Sequence, residues 1–305
     1  MSLFKGSGVA LITPFKKDLS VDYDSLFKLI DFHLKNNTDA LIVCGTTGEA
    51  STLEDYEHLK VIDYCVKKVK GNIPVIAGTG SNNTFHASWM SKEAEKLGAD
   101  GLLLVTPYYN KATQKGLEKH YKTISNMVDI PILLYNVPSR TGLNMEPETI
   151  INIIGNNKNV IGIKEASGNI NQVKQIMELS RKQGVDIDLY SGNDEDVISV
   201  LKEGGKGVIS VCANIIPNEI HDMTYHYIDG DIDKALYLQE EVKELSKVLF
   251  SEVNPIPVKK ACYNMNLIEN DDLRLPLTKI TRENEKKMVK VMKKYKLLPW
   301  YWQIY

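Results

Sequence analysis

Short apolar runs recur along this chain at nearly regular intervals, and no other feature constrains its fold as strongly. Eight runs begin between 20 and 33 residues apart. This interval is the length of one strand, one helix and the two loops that join them. The pattern therefore predicts eight βα units. The runs are Gly8–Thr13, Ala40–Cys44, Ile73–Ala77, Gly101–Val105, Ile130–Tyr135, Val160–Lys164, Ile187–Tyr190 and Gly207–Val211.

The segments between these runs have the apolar spacing and the end signals of helices. In residues 22–32 the apolar positions recur at helical intervals behind acidic residues, which favour a helix start. Segment Thr84–Leu97 is followed by Gly98, and segment Asn171–Arg181 by Gly184, and both glycines are typical of helix ends. The runs themselves alternate little, as expected where both faces of a parallel strand are covered.

Eight βα units are the number that closes a (β/α)8 TIM barrel, an α/β fold whose chemistry lies at the carboxyl ends of its strands. The main alternative is an open doubly wound sheet, but its G-x-G-x-x-G fingerprint is absent. Gly6-Ser7-Gly8 precedes the first strand and has no third glycine. After the last run the sequence is rich in helical pattern, including Asp231–Phe250 and Glu283–Lys296. We therefore predict a catalytic barrel over residues 1–230 and a C-terminal helical appendage over residues 231–305.

Composition excludes several classes of protein. With 43% hydrophobic residues, 25% charged residues and a net charge of −2, the chain resembles an ordinary soluble globular protein, with no sign of a nucleic-acid or membrane surface. Its amino terminus lacks a basic segment followed by a long apolar stretch, and no window approaches a membrane-spanning length. We therefore expect a cytoplasmic protein.

Neither the cysteines nor the histidines form a metal-binding pattern. The four cysteines are far apart and include no C-x-x-C pair, and the six histidines include no H-x-H or H-E-x-x-H. A metal-dependent aldolase needs ligands at its active face. We therefore expect an organic mechanism with no metal and no cofactor.

Lys164 is the most informative single residue, because it ends the apolar run Val160–Lys164. A strand end buried in a barrel makes a charged ammonium costly, which favours a neutral amine and a Schiff-base nucleophile. Taken alone, the commoner explanation is a lysine that extends from a strand end to water.

Polar groups also follow the neighbouring runs, and each has a chemical use and an ordinary alternative. The segment Gly45-Thr46-Thr47-Gly48 lets a backbone approach a small carboxylate, or is simply a threonine-capped β-turn. Tyr135 suits proton transfer to a carbinolamine, or is a core aromatic residue. Arg140 can take a carboxylate with two hydrogen bonds, or is merely exposed.

In a barrel these groups share one face of the molecule, and their convergence favours the chemical interpretation. It predicts an enzyme of the class I aldolase type. A 2-oxo acid condenses with Lys164, the iminium acts as an electron sink, and the resulting enamine attacks an aldehyde.

At these residues the chain resembles the dihydrodipicolinate synthase family, a part of the pyruvate-dependent N-acetylneuraminate lyase superfamily. The matching segments span nearly the whole chain. They are Gly45–Glu49, Ala77–Gly80, Val105–Asn110, Tyr135–Gly142, Ile161–Ala166, Gly204–Ser210, Asn254–Lys259 and Leu273–Leu277.

The resemblance implies a lyase of the lysine and diaminopimelate pathway. Such an enzyme condenses pyruvate with L-aspartate 4-semialdehyde to give 4-hydroxy-tetrahydrodipicolinate. It implies that Lys164 forms the imine with pyruvate, and that Thr46, Tyr135 and Tyr109 form a proton relay. Tyr109 would reach in from a neighbouring subunit, since the family is commonly a homotetramer built from tight dimers. We also expect the aromatic tail, Leu297–Tyr305, to pack either on its own body or against another subunit.

The resemblance further implies the substrate contacts. Thr46 and Thr47 would hold the pyruvate carboxylate, Arg140 the carboxylate of the semialdehyde, and the backbones of Gly192 and Ile209 would line the pocket. Sialic acid lyases typically lack the Ser-Arg-Thr-Gly loop that carries Arg140. A pyruvate-dependent sugar-acid aldolase, such as N-acetylneuraminate lyase, is therefore the alternative, and an oxo-acid sensor without turnover is a more distant one.

One departure from the family concerns feedback by lysine. Regulated members have an effector site to which Asn82, Tyr108 and His58 correspond. An acidic residue stands there where this chain has His86, and the chain also differs at Ala50 and Asp55. A missing carboxylate removes a partner for the ammonium of the inhibitor. The remnant of the site therefore predicts little or no inhibition by lysine.

Overall fold

Eight parallel strands close into a barrel within residues 2–299, which are the residues that the computed structural model describes. Each strand pairs with the next along the chain, and the last pairs with the first. The predicted (β/α)8 barrel is confirmed. The strands are β1 (Gly6–Ala10), β2 (Ala40–Val43), β3 (Val75–Gly78), β4 (Gly101–Val105), β5 (Ile132–Asn136), β6 (Val160–Glu165), β7 (Asp188–Ser191) and β8 (Gly207–Ser210).

Each of the eight predicted runs overlaps a strand, but several strand ends differ from the prediction by one to three residues. β3 and β5 begin after Pro74 and Pro131 rather than at Ile73 and Ile130. Proline has no N–H to donate to a ladder, so pairing starts beyond it. β1 begins two residues earlier than predicted. Its first residues, Gly6 and Ser7, form hydrogen-bonded pairs with β8, but they are not apolar and so were not counted in the run.

Helices connect the strands and cover the outside of the barrel. Asp22, Asn83 and Asn169 cap three of them by accepting backbone N–H bonds at their starts. The helices are α1 (Tyr23–Lys35), α2 (Asp55–Val69), α3 (Thr84–Lys96), α4 (Gln114–Ser125), α5 (Pro138–Thr141), α6 (Pro147–Asn156), α7 (Ile170–Gln183), α8 (Val197–Lys202), α9 (Pro217–Ile228), α10 (Ile232–Leu249), α11 (Ile256–Asn264) and α12 (Arg282–Lys294).

Buried apolar side chains form two separate clusters, because successive residues of a strand point to opposite faces. In β5, Ile132 and Leu134 belong to the cluster between the sheet and the helices, whereas Leu133 and Tyr135 point into the barrel. Both faces of each strand are therefore apolar, as the weak alternation predicted. The barrel-interior cluster consists of Phe4, Ala10, Ala40, Ile42, Ile76, Leu103, Leu133, Tyr135, Val137, Ala166, Tyr190 and Ile209.

The C-terminal helices pack onto the barrel through α9 and onto each other. α10 contacts α9 and α12, and α11 contacts α12. The division of the chain at residue 230 stays a prediction. Residues 300–305, which hold most of the aromatic tail, lie outside the described residues. Among the residues that are described, none of the helices is both long and apolar enough to cross a membrane.

Two histidines are buried in the helical layer with one ring nitrogen each left without a partner. Nδ1 of His33 lies 2.9 Å from Thr38 Oγ1, and Nδ1 of His120 lies 2.9 Å from Thr84 Oγ1. In both rings Nε2 is buried without a hydrogen bond to the described residues. Burial lowers the pKa of His33 from 6.5 to about 3 and that of His120 to about 4. Both imidazoles are therefore neutral in the folded protein near pH 7.

Stability should consequently fall as the pH is lowered from 7 to 5. Below pH 6.5 these histidines are protonated in the unfolded chain but not in the folded protein. This difference lowers the free energy of unfolding by about 2 kcal/mol for each histidine at pH 5. Urea unfolding at the two pH values measures this loss. In His120→Phe, which has no titrating ring at this position, the loss should be smaller by about 2 kcal/mol, whereas in the control His226→Phe, at a half-exposed position, it should equal that of wild type. An equal loss in wild type and His120→Phe would contradict this prediction.

Candidate active site

Lys164 lies at the carboxyl end of β6 and points into the barrel. By register its neighbours are Tyr135 in β5 and Tyr190 in β7. Its side chain is 5% exposed, and Nζ lies 4.4 Å from the centre of the Tyr135 ring. Among the described residues, Lys164 has no ion pair. The lysine is therefore buried beside a phenol, in the position that the sequence predicted, and does not extend to water.

Glu165, the next residue, holds the end of β6 from the other face of the sheet. Its carboxylate accepts hydrogen bonds from the Ser167 N–H (2.8 Å), Asn136 Nδ2 (3.0 Å) and Gln172 Nε2 (3.1 Å). Burial raises the pKa of Glu165, while these donors oppose the rise. The bonds join β5, β6 and α7, and so fix the backbone that carries Lys164. Nothing in the sequence around Glu165 indicated this role.

The predicted lining residues lie at the next two strands: Gly192 directly follows β7, and Ile209 belongs to β8. A Cβ built on Gly192 would come within 3.1 Å of Lys164 Cε and 2.5 Å of Ala166 Cβ. The absence of a side chain at residue 192 therefore lets the lysine pack against the backbone that follows β7. Ile209 in β8 is fully buried and belongs to the barrel-interior cluster.

A cavity of about 480 Å³ opens at this end of the barrel. Tyr135, Thr46 and Arg140 all line it, so three of the predicted site residues meet at one surface. Lys164 and Thr47 are not among its lining residues, although Lys164 lies against the Tyr135 ring that is. The lining residues are Cys44, Gly45, Thr46, Ala50, Ser51, Leu53, Asp55, His58, Gly78, Thr79, Gly80, Ser81, His86, Met90, Leu103, Val105, Tyr108, Tyr135, Val137, Arg140 and Thr141.

The loop with Thr46 and Thr47 ends in a buried ion pair. Glu49 adopts a left-handed backbone conformation, with φ of 54°, and its Oε1 lies 2.6 Å from Nζ of Lys259 in α11. Its other oxygen accepts a hydrogen bond from the Arg274 N–H. Both charged side chains are almost completely buried, and burial lowers the pKa of Lys259 to about 8, although Glu49 opposes the change. The C-terminal region is thereby tied to the loop after β2.

A second link between the same regions runs through Asn254, just before α11. Its Nδ2 donates to Thr47 Oγ1 at 2.9 Å, and its backbone oxygen accepts from Arg140 Nη2 at 3.3 Å. Asn254 belongs to one of the segments that resemble the family, but no role for it was predicted from the sequence. The neighbouring Arg140 is exposed, so its remaining N–H groups face the cavity side of the loop or solvent.

Tyr109 is the predicted catalytic residue that the structure does not bring to the site of its own chain. It is 89% exposed, with a left-handed φ of 73°, and it does not line the cavity. Other exposed aromatic side chains, Tyr56, Phe85 and Trp89, lie on the nearby helices α2 and α3. A role for Tyr109 in the chemistry of this chain therefore requires a second copy.

The four residues of the predicted effector remnant lie together. His58, His86 and Tyr108 line the same cavity as Tyr135, and Asn82 donates to the Tyr108 carbonyl. His86 Nε2 lies 2.9 Å from Asp55 Oδ1. The cavity therefore has one carboxylate, that of Asp55, and it is already paired with His86.

Comparisons with known proteins agree with this geometry. Residues 3–295 match the model of the Dihydrodipicolinate synthetase family. A relative from Caldicellulosiruptor bescii, 4-hydroxy-tetrahydrodipicolinate synthase, is 56% identical over 295 residues, which cover 97% of this chain and 98% of the relative. Solved dihydrodipicolinate synthases from Thermotoga maritima and Aquifex aeolicus are 42% and 45% identical, with TM-scores of 0.95 and 0.93. They cover 97% of this chain, and it covers 100% and 99% of theirs. The chain therefore belongs to the dihydrodipicolinate synthetase family.

Proposed function

We propose that this protein is a lyase that condenses pyruvate with L-aspartate 4-semialdehyde to give 4-hydroxy-tetrahydrodipicolinate, in lysine and diaminopimelate biosynthesis. The observation that carries the proposal is the buried amine of Lys164 beside Tyr135, next to a cavity lined by Thr46 and Arg140. A cytoplasmic location, inferred from composition, and a catalytic barrel over residues 1–230 belong to the same proposal.

The chemistry begins at the ketone of pyruvate. The Lys164 amine adds to the carbonyl carbon, and loss of water gives an imine in which nitrogen is the electron sink. Loss of a methyl proton gives an enamine, whose carbon attacks the aldehyde of the second substrate. The amino group of that substrate then replaces Lys164 on the former ketone carbon and closes the ring. One water is released overall, and the lysine is regenerated.

The residues around Lys164 supply proton transfer and charge recognition. In this proposal the Tyr135 hydroxyl moves protons during addition and loss of water, and Thr46, which lines the same cavity, is its partner. Thr46 and Thr47 would hold the pyruvate carboxylate, and the backbones of Gly192 and Ile209 would enclose the bound group. The guanidinium of Arg140 suits the carboxylate of the semialdehyde, because its planar donors can form two parallel bonds to it.

Tyr109 completes the relay in this proposal, from a neighbouring copy. Support comes from its exposure, from its strained backbone and from the exposed aromatic residues Tyr56, Phe85 and Trp89 on α2 and α3. Exposed aromatic groups of this kind are typical of protein interfaces. We propose a homotetramer arranged as a dimer of dimers, with Tyr109 exchanged across the tighter contact.

The direct test compares substrates. With pyruvate and L-aspartate 4-semialdehyde the purified protein should turn over, whereas cleavage of N-acetylneuraminate or 2-keto-3-deoxygluconate should be at least about 10³-fold less efficient in kcat/KM. The reason is that Arg140 matches a carboxylate and not a neutral sugar. Efficient cleavage of a sugar acid, without condensation of the semialdehyde, would contradict the proposal.

Lysine should inhibit the enzyme weakly or not at all at millimolar concentration. The Asp55 carboxylate is already paired with His86, so the ammonium of an added lysine finds no free anionic partner among the residues of the predicted remnant. His86→Glu supplies such a partner and should lower the inhibitory lysine concentration by about tenfold. His226→Glu, on the exposed end of α9, is the matched control and should change nothing. Strong inhibition of the wild type by millimolar lysine would refute this prediction.

A further inference from the structure

We propose that Asn254 is a positioning residue that orients the Thr47 hydroxyl toward the pyruvate carboxylate and anchors Arg140 beside it. This inference rests on the proposed function and extends it to a residue of the C-terminal region. Asn254 is 5% exposed and is the one residue whose hydrogen bonds, among those of residues 2–299, reach both Thr47 and Arg140.

The bond to Thr47 determines what that hydroxyl can do. A hydroxyl has one proton to donate, and Thr47 Oγ1 accepts the Asn254 Nδ2–H bond at 2.9 Å. Its own proton therefore remains available for another acceptor. A carboxylate in the site is such an acceptor, so the amide makes Thr47 a donor to the substrate.

The orientation of the amide decides the role of the hydroxyl. The opposite orientation would turn the oxygen of Asn254 toward Thr47 and consume the hydroxyl proton. In the structure Nδ2 donates to Thr47, and Oδ1 is buried without a partner among the described residues.

The bond to Arg140 involves the backbone of Asn254 rather than its side chain. The carbonyl oxygen accepts one guanidinium N–H at 3.3 Å, which leaves the other donors for a ligand. Substitution of the Asn254 side chain preserves this carbonyl. Side-chain variants should therefore affect the pyruvate subsite more than the semialdehyde subsite.

The segment that carries Asn254 is held firmly. Five residues further on, Lys259 forms the buried ion pair with Glu49, which belongs to the same loop as Thr47. Lys259 N–H also donates to the Pro255 carbonyl. The two contacts, one to residue 47 and one to residue 49, hold the loop in a fixed position against α11.

An apolar residue at position 254 should make the folded protein at least as stable as asparagine does. Leucine has a similar volume, and it would remove the buried Oδ1, which has no partner among the described residues and whose burial costs stability. A purely structural role therefore predicts that Asn254→Leu folds as well as wild type and works as well. The positioning role predicts a defect in pyruvate binding without a defect in stability.

The experiment measures KM for each substrate, kcat and melting temperature for Asn254→Leu and Asn254→Asp. The KM for pyruvate should rise about tenfold in the leucine variant, which is the loss of one hydrogen bond, and more in the aspartate variant. Aspartate only accepts, so it takes the Thr47 proton and adds a negative charge. The KM for the semialdehyde and kcat should change less than about threefold in the leucine variant.

Two comparisons separate positioning from general damage. In a Thr47→Val background, Asn254→Leu should raise the KM for pyruvate less than about twofold further, since the hydroxyl it orients is gone. Asn264→Leu is the matched control, because Asn264 is a buried asparagine of α11 with both amide atoms unpartnered among the described residues. It should leave both KM values unchanged.

Three results would overturn the inference. The first is an unchanged KM for pyruvate in Asn254→Leu. The second is a rise in that KM that is as large in the Thr47→Val background as in wild type, and the third is an equal rise in both KM values in Asn254→Leu and in Asn264→Leu. Failure of the proposed function is distinguishable from these, because wild type would then form no borohydride-reducible adduct with pyruvate.

Discussion

Lys164→Ala is expected to lower kcat/KM for the condensation by at least about 10³-fold, with little change in melting temperature. The reason is that the variant has no amine to form the imine, so no electron sink is available for removing a proton from pyruvate. Loss of the lysine should not destabilise the fold, because Lys164 is buried without an ion pair among the described residues and its Nζ lies over the Tyr135 ring. A coupled assay that consumes the product measures the rate.

Two further variants make this result specific. Lys164→Arg places a guanidinium next to Tyr135 but cannot form the imine, and should be as inactive as the alanine variant. Lys174→Ala, at an exposed position of α7, should keep wild-type activity. If Lys164→Arg retains more than about a tenth of the wild-type rate, charge and not covalent chemistry is the function of this position.

Lys259→Met is expected to lower the free energy of unfolding by about 3–5 kcal/mol. The substitution leaves the Glu49 carboxylate buried, with the Arg274 N–H as its one remaining donor among residues 2–299. An uncompensated buried charge is costly. Glu49→Gln together with Lys259→Met removes both charges and should regain most of the loss. Urea unfolding of the single and double variants measures both effects.

An ion pair on the protein surface is the control for the loss of stability expected in Lys259→Met. Lys67 and Asp63 are paired at 2.7 Å one helical turn apart on α2, with the lysine 71% exposed. Lys67→Met should therefore change the free energy of unfolding by about 1 kcal/mol or less. If Lys259→Met is equally mild, the buried pair does not hold the C-terminal region against the barrel.

The barrel was predictable because strand and helix patterns are local properties of a sequence. Each run of apolar residues needs only its own composition to indicate a strand, and eight such runs imply closure. Lys164 was predictable for the same reason, since it ends a run that must be buried. The exact strand ends were less predictable, because the pairing beyond Pro74 and Pro131 depends on the neighbouring strand.

Contacts between distant parts of the chain were not predictable from pattern. Lys259 is more deeply buried than Lys164, yet its partner Glu49 is 210 residues away. Asn254 and Thr47 are 207 residues apart. Neither bond leaves a local signal, because a buried polar side chain looks like an exposed one until its partner is known. The pairing of Asp55 with His86 was missed in the same way.

The central claim is a covalent bond between Lys164 and pyruvate, and borohydride reduction tests it most directly. Protein reduced in the presence of pyruvate should gain the mass of one reduced pyruvate imine per chain, and peptide mapping should place it on Lys164. Lys259 is the internal comparison, because burial lowers its pKa to about 8 while Glu49 and complete burial keep it from substrate. Modification of Lys164 alone is the predicted result. No adduct, or an adduct on Lys259, would contradict the account.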